Sequence, residues 1–160
     1  MDPIIVFLAN YLFLVLVLLL IFAGYIIKDW REYILAIIIA VILAWDLSAI
    51  AGALFYNPRP FVTQGIEPLF PHGVDNGFPS QHTVFAMTLT SVIYFYQRRL
   101  AIAAFIITFL IGSGRVWAHV HSWIDIIGGL AIGAIAGYAG VKIARFLLSR
   151  FSARRRVERR

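Results

Sequence analysis

"IIVFLANYLFLVLVLLLIFAGYII", residues 4–27, runs 24 residues without a formal charge. An α-helix needs roughly 20 apolar residues to cross a bilayer core, so this stretch reads as a membrane span. A secretory signal would open on basic residues and carry a shorter apolar stretch of about 7–15 residues. Here the start is Met1-Asp2-Pro3 and no small-residue cleavage pattern follows, so a retained helix is expected. The composition agrees: 61% of residues are hydrophobic and 14% charged, against about 45–50% and about 25% in soluble domains. That excess places the chain among integral membrane proteins.

Further spans lie downstream of this one. Lys28 to Glu32 is a short polar turn, and Tyr33 to Phe55 is a second span interrupted only by Asp46. Tyr56 to Pro79 carries Pro58, Pro60, Pro68, Pro71, Gly65, Gly73 and Gly77, a density that punctuates a loop. Ser80 to Tyr96 is a third span, closed by Gln97-Arg98-Arg99. Leu100 to about Val116 is a fourth, and about Trp123 to Leu148 a fifth. At about 17 residues, the third and fourth reach roughly 26 Å, short of a core of about 30 Å. Their polar joints are therefore expected just below the membrane surface. The expected fold is an all-α membrane bundle of about five transmembrane helices, a single domain over 1–160 with a basic tail at 148–160.

Five spans sort the cations. The turns at 28–32 and 97–99 and the tail share one side, with twelve of the 14 Lys and Arg residues; the other side holds Arg59 and Arg115. Cations near span ends mark the cytoplasmic side, so the C-terminus is expected inside. His72, His82, His119 and His121 then fall outside, in a multi-pass plasma-membrane protein. The net charge of +6 reads as an orientation signal and an attraction to anionic headgroups rather than a nucleic-acid site. Cysteine is absent, which excludes disulfides, thiolate metal sites and cysteine nucleophiles.

The two cations that break the charge bias are those nearest the histidines. Polar groups kept at membrane depth despite their cost are functional candidates. Three stretches carry them: "NPRPF" (57–61), "FPSQH" (78–82) and "GRVWAHVHSWID" (114–125). Arg59 and Arg115 offer forked donors suited to phosphate oxygens. Ser80 opens the third span, where unpaired amides and the helix dipole favour an anion, although it also suits a plain N-cap. His82 is within a turn of it and placed to deliver a proton. His121 and Asp125 are four apart and share a face if helical. An aspartate accepting from one ring nitrogen leaves the other free to attack. Together these groups describe phosphoryl transfer through a phosphohistidine.

The chain resembles the type 2 phosphatidic acid phosphatase superfamily of membrane lipid phosphatases. That family's pattern is Lys-x6-Arg-Pro, then Pro-Ser-Gly-His, then Ser-Arg-x5-His-x3-Asp. Here Arg59-Pro60, Pro79-Ser80-Gln81-His82 and Arg115-x5-His121-x3-Asp125 occur in order, over about residues 45–140. The resemblance implies His121 as nucleophile, Asp125 as its orienting partner and His82 as the acid for the leaving oxygen. It implies Arg59, Arg115 and Ser80 as phosphate ligands, and no metal or cofactor. The run "HGVDNGFPSQHT" (72–83) and Pro58 to Phe61 are similar to bacitracin-resistance undecaprenyl pyrophosphate phosphatases. This implies release of phosphate from undecaprenyl diphosphate at the outer face, with the polyprenyl tail among the helices.

Three positions depart from the pattern. The family lysine falls on Gly52, the glycine on Gln81 and the serine on Gly114. Gln81 is counted with the phosphate ligands, and His72 and His119 are the other nearby donors in place of the lysine. Alternatives stay open: a phosphatidylglycerophosphate or phosphatidic acid phosphatase, a lipid phosphotransferase, a non-catalytic lipid-binding protein, or a metal binder using the four histidines. Several residues have plainer readings. His72 and His119 suit interfacial anchors, and Trp30, Trp45, Trp117 and Trp123 an aromatic belt. Asp75 and Asn76 read as turn residues. Asp46 is expected to bond a neighbouring helix. Gly129, Gly133 and Gly137 form a small-residue packing seam.

Overall fold

The structure, a computed structural model, describes residues 2–157, with side chains through Phe151. Arg159 and Arg160 of the expected basic tail lie outside the described residues, as do the side chains of Arg154, Arg155 and Arg156. The fold is the expected all-α bundle. Asp2 accepts from Ile4 N at 3.0 Å and starts α1, Pro3–Val6, with Pro3 in the first turn. A π-helical turn, Phe7–Tyr11, leads into α2, Leu12–Ile26. Then come α3, Trp30–Leu54; α4, Pro60–Gln64; α5, Gln81–Tyr96; α6, Arg98–Trp117; and α7, Trp123–Val157.

Among the described residues, four helices are long and apolar enough to cross a membrane: Pro3–Ile26, Trp30–Leu54, Arg98–Trp117 and Trp123–Phe151. The remaining expected span, α5, has 16 residues. It is also the most enclosed, packing against α2, α3, α6 and α7. Its composition explains this position. Thr83, Thr88, Thr90 and Ser91 are buried and would be costly against lipid, so the helix faces protein that can bond them. Thr88 donates to the Val84 carbonyl at 2.8 Å, Thr90 pairs with Thr108 of α6 at 2.8 Å, and Ser91 donates to the Ala134 carbonyl of α7 at 3.4 Å.

Close approach on α7 comes from its glycines. A Cβ on Gly137 would lie 2.5 Å from Ser91 Cβ and 2.8 Å from the Thr88 carbonyl, and one on Gly133 would overlap the Val84 carbonyl. The seam is helix packing against α5, as expected. Ala36, Ala40 and Ala44 form the matching stripe of α3, with Ala40 set against Gly140. Asp46 departs from expectation. It is exposed because it sits two residues, about 200°, from that buried stripe, so it meets neither a neighbouring helix nor the pocket. All four tryptophans are exposed, as a lipid-facing belt requires.

Several boundaries differ from those expected. α3 starts at Trp30 rather than Tyr33, and α7 continues past Leu148 to Val157, into the expected tail. The 56–79 loop contains α4, whose limits are set by Pro60 in the first turn and Gly65 beyond the last, at φ +65°. The polar turn at 97–99 shrinks to Gln97, with φ −142°, because Arg98 and Arg99 join the first turn of α6. At this end Glu32 accepts from Arg145 and from Tyr96, both at 2.9 Å, tying α3, α5 and α7 together.

Candidate active site

At the other end of the bundle, three irregular segments meet. The chain leaving α6 turns back on itself: Val120 N and His121 N both donate to the Arg115 carbonyl, at 3.2 and 3.3 Å. His119 takes a left-handed backbone, φ 63°. α7 then opens with an aspartate cap. Ser122 N donates to Asp125 Oδ2 at 2.8 Å, the carboxylate half of a capping box, and Asp125 N donates to the Ser122 backbone carbonyl at 3.1 Å, a turn bond.

This corrects the helical reading of His121 and Asp125. His121 precedes α7 rather than lying on it. The two still meet, with Nδ1 3.4 Å from Asp125 Oδ2, because the cap folds the carboxylate back over the residues before the helix. That separation exceeds an ordinary N–H···O bond of about 2.7–3.2 Å, and Nδ1 has no well-formed partner. Asp125 is held firmly by others: Asn57 Nδ2 donates to Oδ1 at 2.7 Å and also reaches Ser122 Oγ at 2.7 Å. With Nδ1 facing a carboxylate, the ring proton belongs there, and the Nε2 lone pair faces Arg59.

Arg59 is buried and clamped in place. Its Nη1 donates to the Val120 carbonyl at 2.8 Å and lies 3.3 Å from His121 Nε2. Its Nε pairs with Asp75 at 3.0 Å and its Nη2 donates to the Asn76 carbonyl at 3.3 Å. Arg115, only 2% exposed, has no carboxylate partner among the described residues. Nη1 donates to Asn10 Oδ1 at 3.2 Å, Nη2 to His72 Nε2 at 3.1 Å, and the guanidinium stacks 5.2 Å above the Phe70 ring. Its Nε is buried without a partner. A buried cation held by neutral groups alone is costly, and a phosphate dianion would offset that cost.

The second motif supplies the remaining groups. Ser80 occupies the N-cap position of α5, but its hydroxyl caps no backbone amide; it accepts from Thr83 Oγ1 at 3.2 Å. Its amide donates to the Asp125 carbonyl at 3.2 Å, joining the starts of α5 and α7. His82 lies within electrostatic reach of Arg115, His121 and His72, its ring edge-on to Phe13 with centroids 6.2 Å apart. Gln81 turns away from this cluster, its amide bonded to Ser48 of α3 at 3.1 and 3.3 Å.

Three donors were candidates to stand in for the lysine absent at position 52. Gln81 is engaged with Ser48, and His119 is exposed, its carbonyl accepting from Phe61 N at 3.1 Å. His72 sits inside the cluster, 6.1 Å from His121 between ring centroids. Gly52 itself is packed under the loop: a Cβ there would lie 3.1 Å from the Phe78 carbonyl, and its own carbonyl accepts from Asn76 at 2.8 Å.

Burial, reinforced by Arg59 and Arg115, lowers His72 to about 4. Burial also holds His121 below the ordinary histidine value, opposed by Asp125. Partial burial would raise the Asp75 carboxyl, but the hydrogen bond and charge of Arg59 outweigh it and leave it low. Both rings are thus neutral near pH 7, and the net local charge is that of the arginines set against Asp75 and Asp125.

Sequence reasoning missed Asn57, Asn76 and Asn10. Asn76 is the hub of the loop, donating to Gly52 and Phe55 carbonyls and accepting from the Asn57 and Phe78 amides. Among the described residues no group of three or more His, Cys, Asp or Glu side chains is arranged to hold a metal ion.

Known proteins share this fold and sequence pattern. Residues 29–148 match the family model described as PAP2 superfamily. The chain is 30% identical over 139 residues to the bacitracin transport permease protein BcrC of Bacillus licheniformis, covering 85% of this chain and 68% of that protein. It is 29% identical over 142 residues to the undecaprenyl-diphosphatase BcrC of Bacillus subtilis, covering 86% and 72%. A crystal structure of Aquifex aeolicus LpxE superposes with a TM-score of 0.73 at 30% identity, over 89% of this chain and 87% of that one. A phosphatidylglycerolphosphate phosphatase from Bacillus subtilis shares the fold, with a TM-score of 0.64 at 21% identity, over 89% and 74%.

Proposed function

Since the chain belongs to the PAP2 superfamily, we propose that it hydrolyses a lipid diphosphate, undecaprenyl diphosphate, to the monophosphate and phosphate. The carrying observation is Arg115: buried, bonded among the described residues to neutral groups alone, and within electrostatic reach of the His121 ring that Arg59 approaches at 3.3 Å. The choice of lipid rests on the undecaprenyl-diphosphatase of Bacillus subtilis, 29% identical, and on the run at 72–83. The whole chain acts as one membrane-embedded domain. The site faces outward and the C-terminus inward, a reading supported by the twelve-to-two distribution of cations.

In the proposed reaction Arg59, Arg115, His72 and the start of α5 at Ser80 bind the terminal phosphate. His121 Nε2 attacks its phosphorus, while Asp125 holds the Nδ1 proton in place. The bond to the bridging oxygen breaks as His82 gives that oxygen a proton. Water then attacks the phosphohistidine, His82 takes its proton, the N–P bond breaks and phosphate leaves. Gln81, bonded to Ser48, is left to orient the α3–α5 contact rather than the substrate.

The test is phosphate release by purified protein from undecaprenyl diphosphate, phosphatidic acid and phosphatidylglycerophosphate, each with and without a chelator. The expected preference is for the prenyl diphosphate, unchanged by chelation. His121→Ala should lower the rate by about 10³-fold or more. Full activity in that variant overturns the mechanism, and turnover of phosphatidic acid alone overturns the substrate.

A further inference from the structure

The N-terminal helix precedes the matched family segment, which begins at residue 29, yet it reaches the site. Asn10 carries the one amide side chain between Pro3 and Ile26. Its Oδ1 accepts from Arg115 Nη1 at 3.2 Å. It is presented by the π turn Phe7–Tyr11. Such a turn takes one extra residue and rotates the helix beyond it by about 100° relative to an unbroken helix. Phe13, one turn on, meets the His82 ring at 6.2 Å. One short stretch thus touches two of the proposed site residues.

The seat of this turn is Gly114, where the related pattern has serine. A Cβ on Gly114 would lie 2.9 Å from Ala9 N, 2.9 Å from Leu8 Cβ and 3.0 Å from the Leu8 carbonyl carbon. Two of those are backbone atoms, which cannot swing aside. Glycine at 114 therefore lets the π turn press onto α6 immediately beside Arg115. The unusual turn, the absent side chain and the amide–guanidinium bond are three parts of one fit.

We propose that Asn10 is a positioning residue: seated on Gly114 by the π turn, it fixes the Arg115 guanidinium in the orientation that grips phosphate. The inference rests on the phosphatase reading of the site. Among the described residues Arg115 is otherwise oriented only by His72 and the Phe70 ring. Loss of the Asn10 acceptor frees one arm of the fork, so phosphate is held less well in the ground state and transition state alike. Such a loss raises KM while sparing kcat.

The experiment uses full-length protein and two probes: inorganic phosphate, measured by equilibrium binding, and undecaprenyl diphosphate turnover. Asn10→Ala should weaken phosphate binding and raise KM by about 5- to 20-fold, with kcat within about threefold. Gly114→Ala should do the same, and the double variant should be no worse than the more severe single one, because both act on one contact. Melting temperature is recorded for each. If Asn10→Ala lowers the melting temperature but leaves phosphate affinity and KM unchanged, Asn10 is packing only and the proposal is overturned. If Gly114→Ala fails to fold, Asn10→Ala alone decides. A wild-type protein that neither binds phosphate nor turns over the lipid removes the reading underneath; wild-type activity with an indifferent Asn10→Ala removes this proposal alone.

Discussion

In the proposed reaction His121 attacks in the neutral form. Its neutral fraction is lost as pH falls through its own pKa, which burial holds below the ordinary 6.5. The acid limb of kcat/KM is therefore expected below pH 6.5. His72, lowered to about 4, is neutral at pH values above that. A pH–rate profile on the wild type checks this; an acid limb above pH 6.5 would contradict the buried, arginine-flanked environment. At this scale Arg59, Arg115, His82, His121 and Asp125 stood out, because Arg-x5-His-x3-Asp is a rare spacing and charge is conspicuous in an apolar chain; Asp75, read as a turn residue, pairs with Arg59 instead. The asparagines did not stand out. Asn57 lies inside "NPRPF", but nothing in that stretch says that its amide will bridge Ser122 and Asp125. The cap at Ser122 could have been found: Ser-x-x-Asp before an apolar run is a helix-start signal, and "SWID" contains it.

Elements were legible where length and hydropathy decide them, less so where a few residues do. The short helix α4 lay hidden in a loop rich in proline and glycine, although Pro60 and Gly65 stand where a helix start and stop require them. The π turn left no trace in an apolar run that suits an unbroken helix equally well. The glycines of α7 were read correctly as packing, and they carry a sharp expectation. Gly137→Val would place methyl groups into Ser91 and the Thr88 carbonyl, parting α5 from α7. Overpacking of this kind costs about 1–3 kcal/mol. Thermal unfolding should show the loss, and activity should fall with it because α5 and α7 each open on the site. A variant as stable as wild type would mean the two helices are not held this tightly.

For the molecule as a whole, periodicity said nothing of which helix stands in the middle. The polar residues of α5 did carry that information, since threonines and serines at membrane depth need protein partners. Orientation rests on the distribution of cations, and the lack of cysteine makes it simple to test. A single cysteine at Thr63, exposed on α4, should react with a membrane-impermeant maleimide on intact cells. One at Lys28 should react only after permeabilisation. The opposite labelling pattern would invert the topology and put the site inside. The central helix has one more consequence. Sixteen residues of α5 rise about 24 Å, some 6 Å less than a typical hydrocarbon core of about 30 Å. With α5 this short, Ser80 and His82 are expected to lie below the membrane surface, where a lipid phosphate bound as proposed would sink to meet them. The depth of that descent depends on hydrophobic mismatch with the host bilayer. In vesicles of graded acyl length, turnover should be fastest in the thinner membranes and decline as the bilayer thickens, so that bilayer thickness itself governs the enzyme's rate.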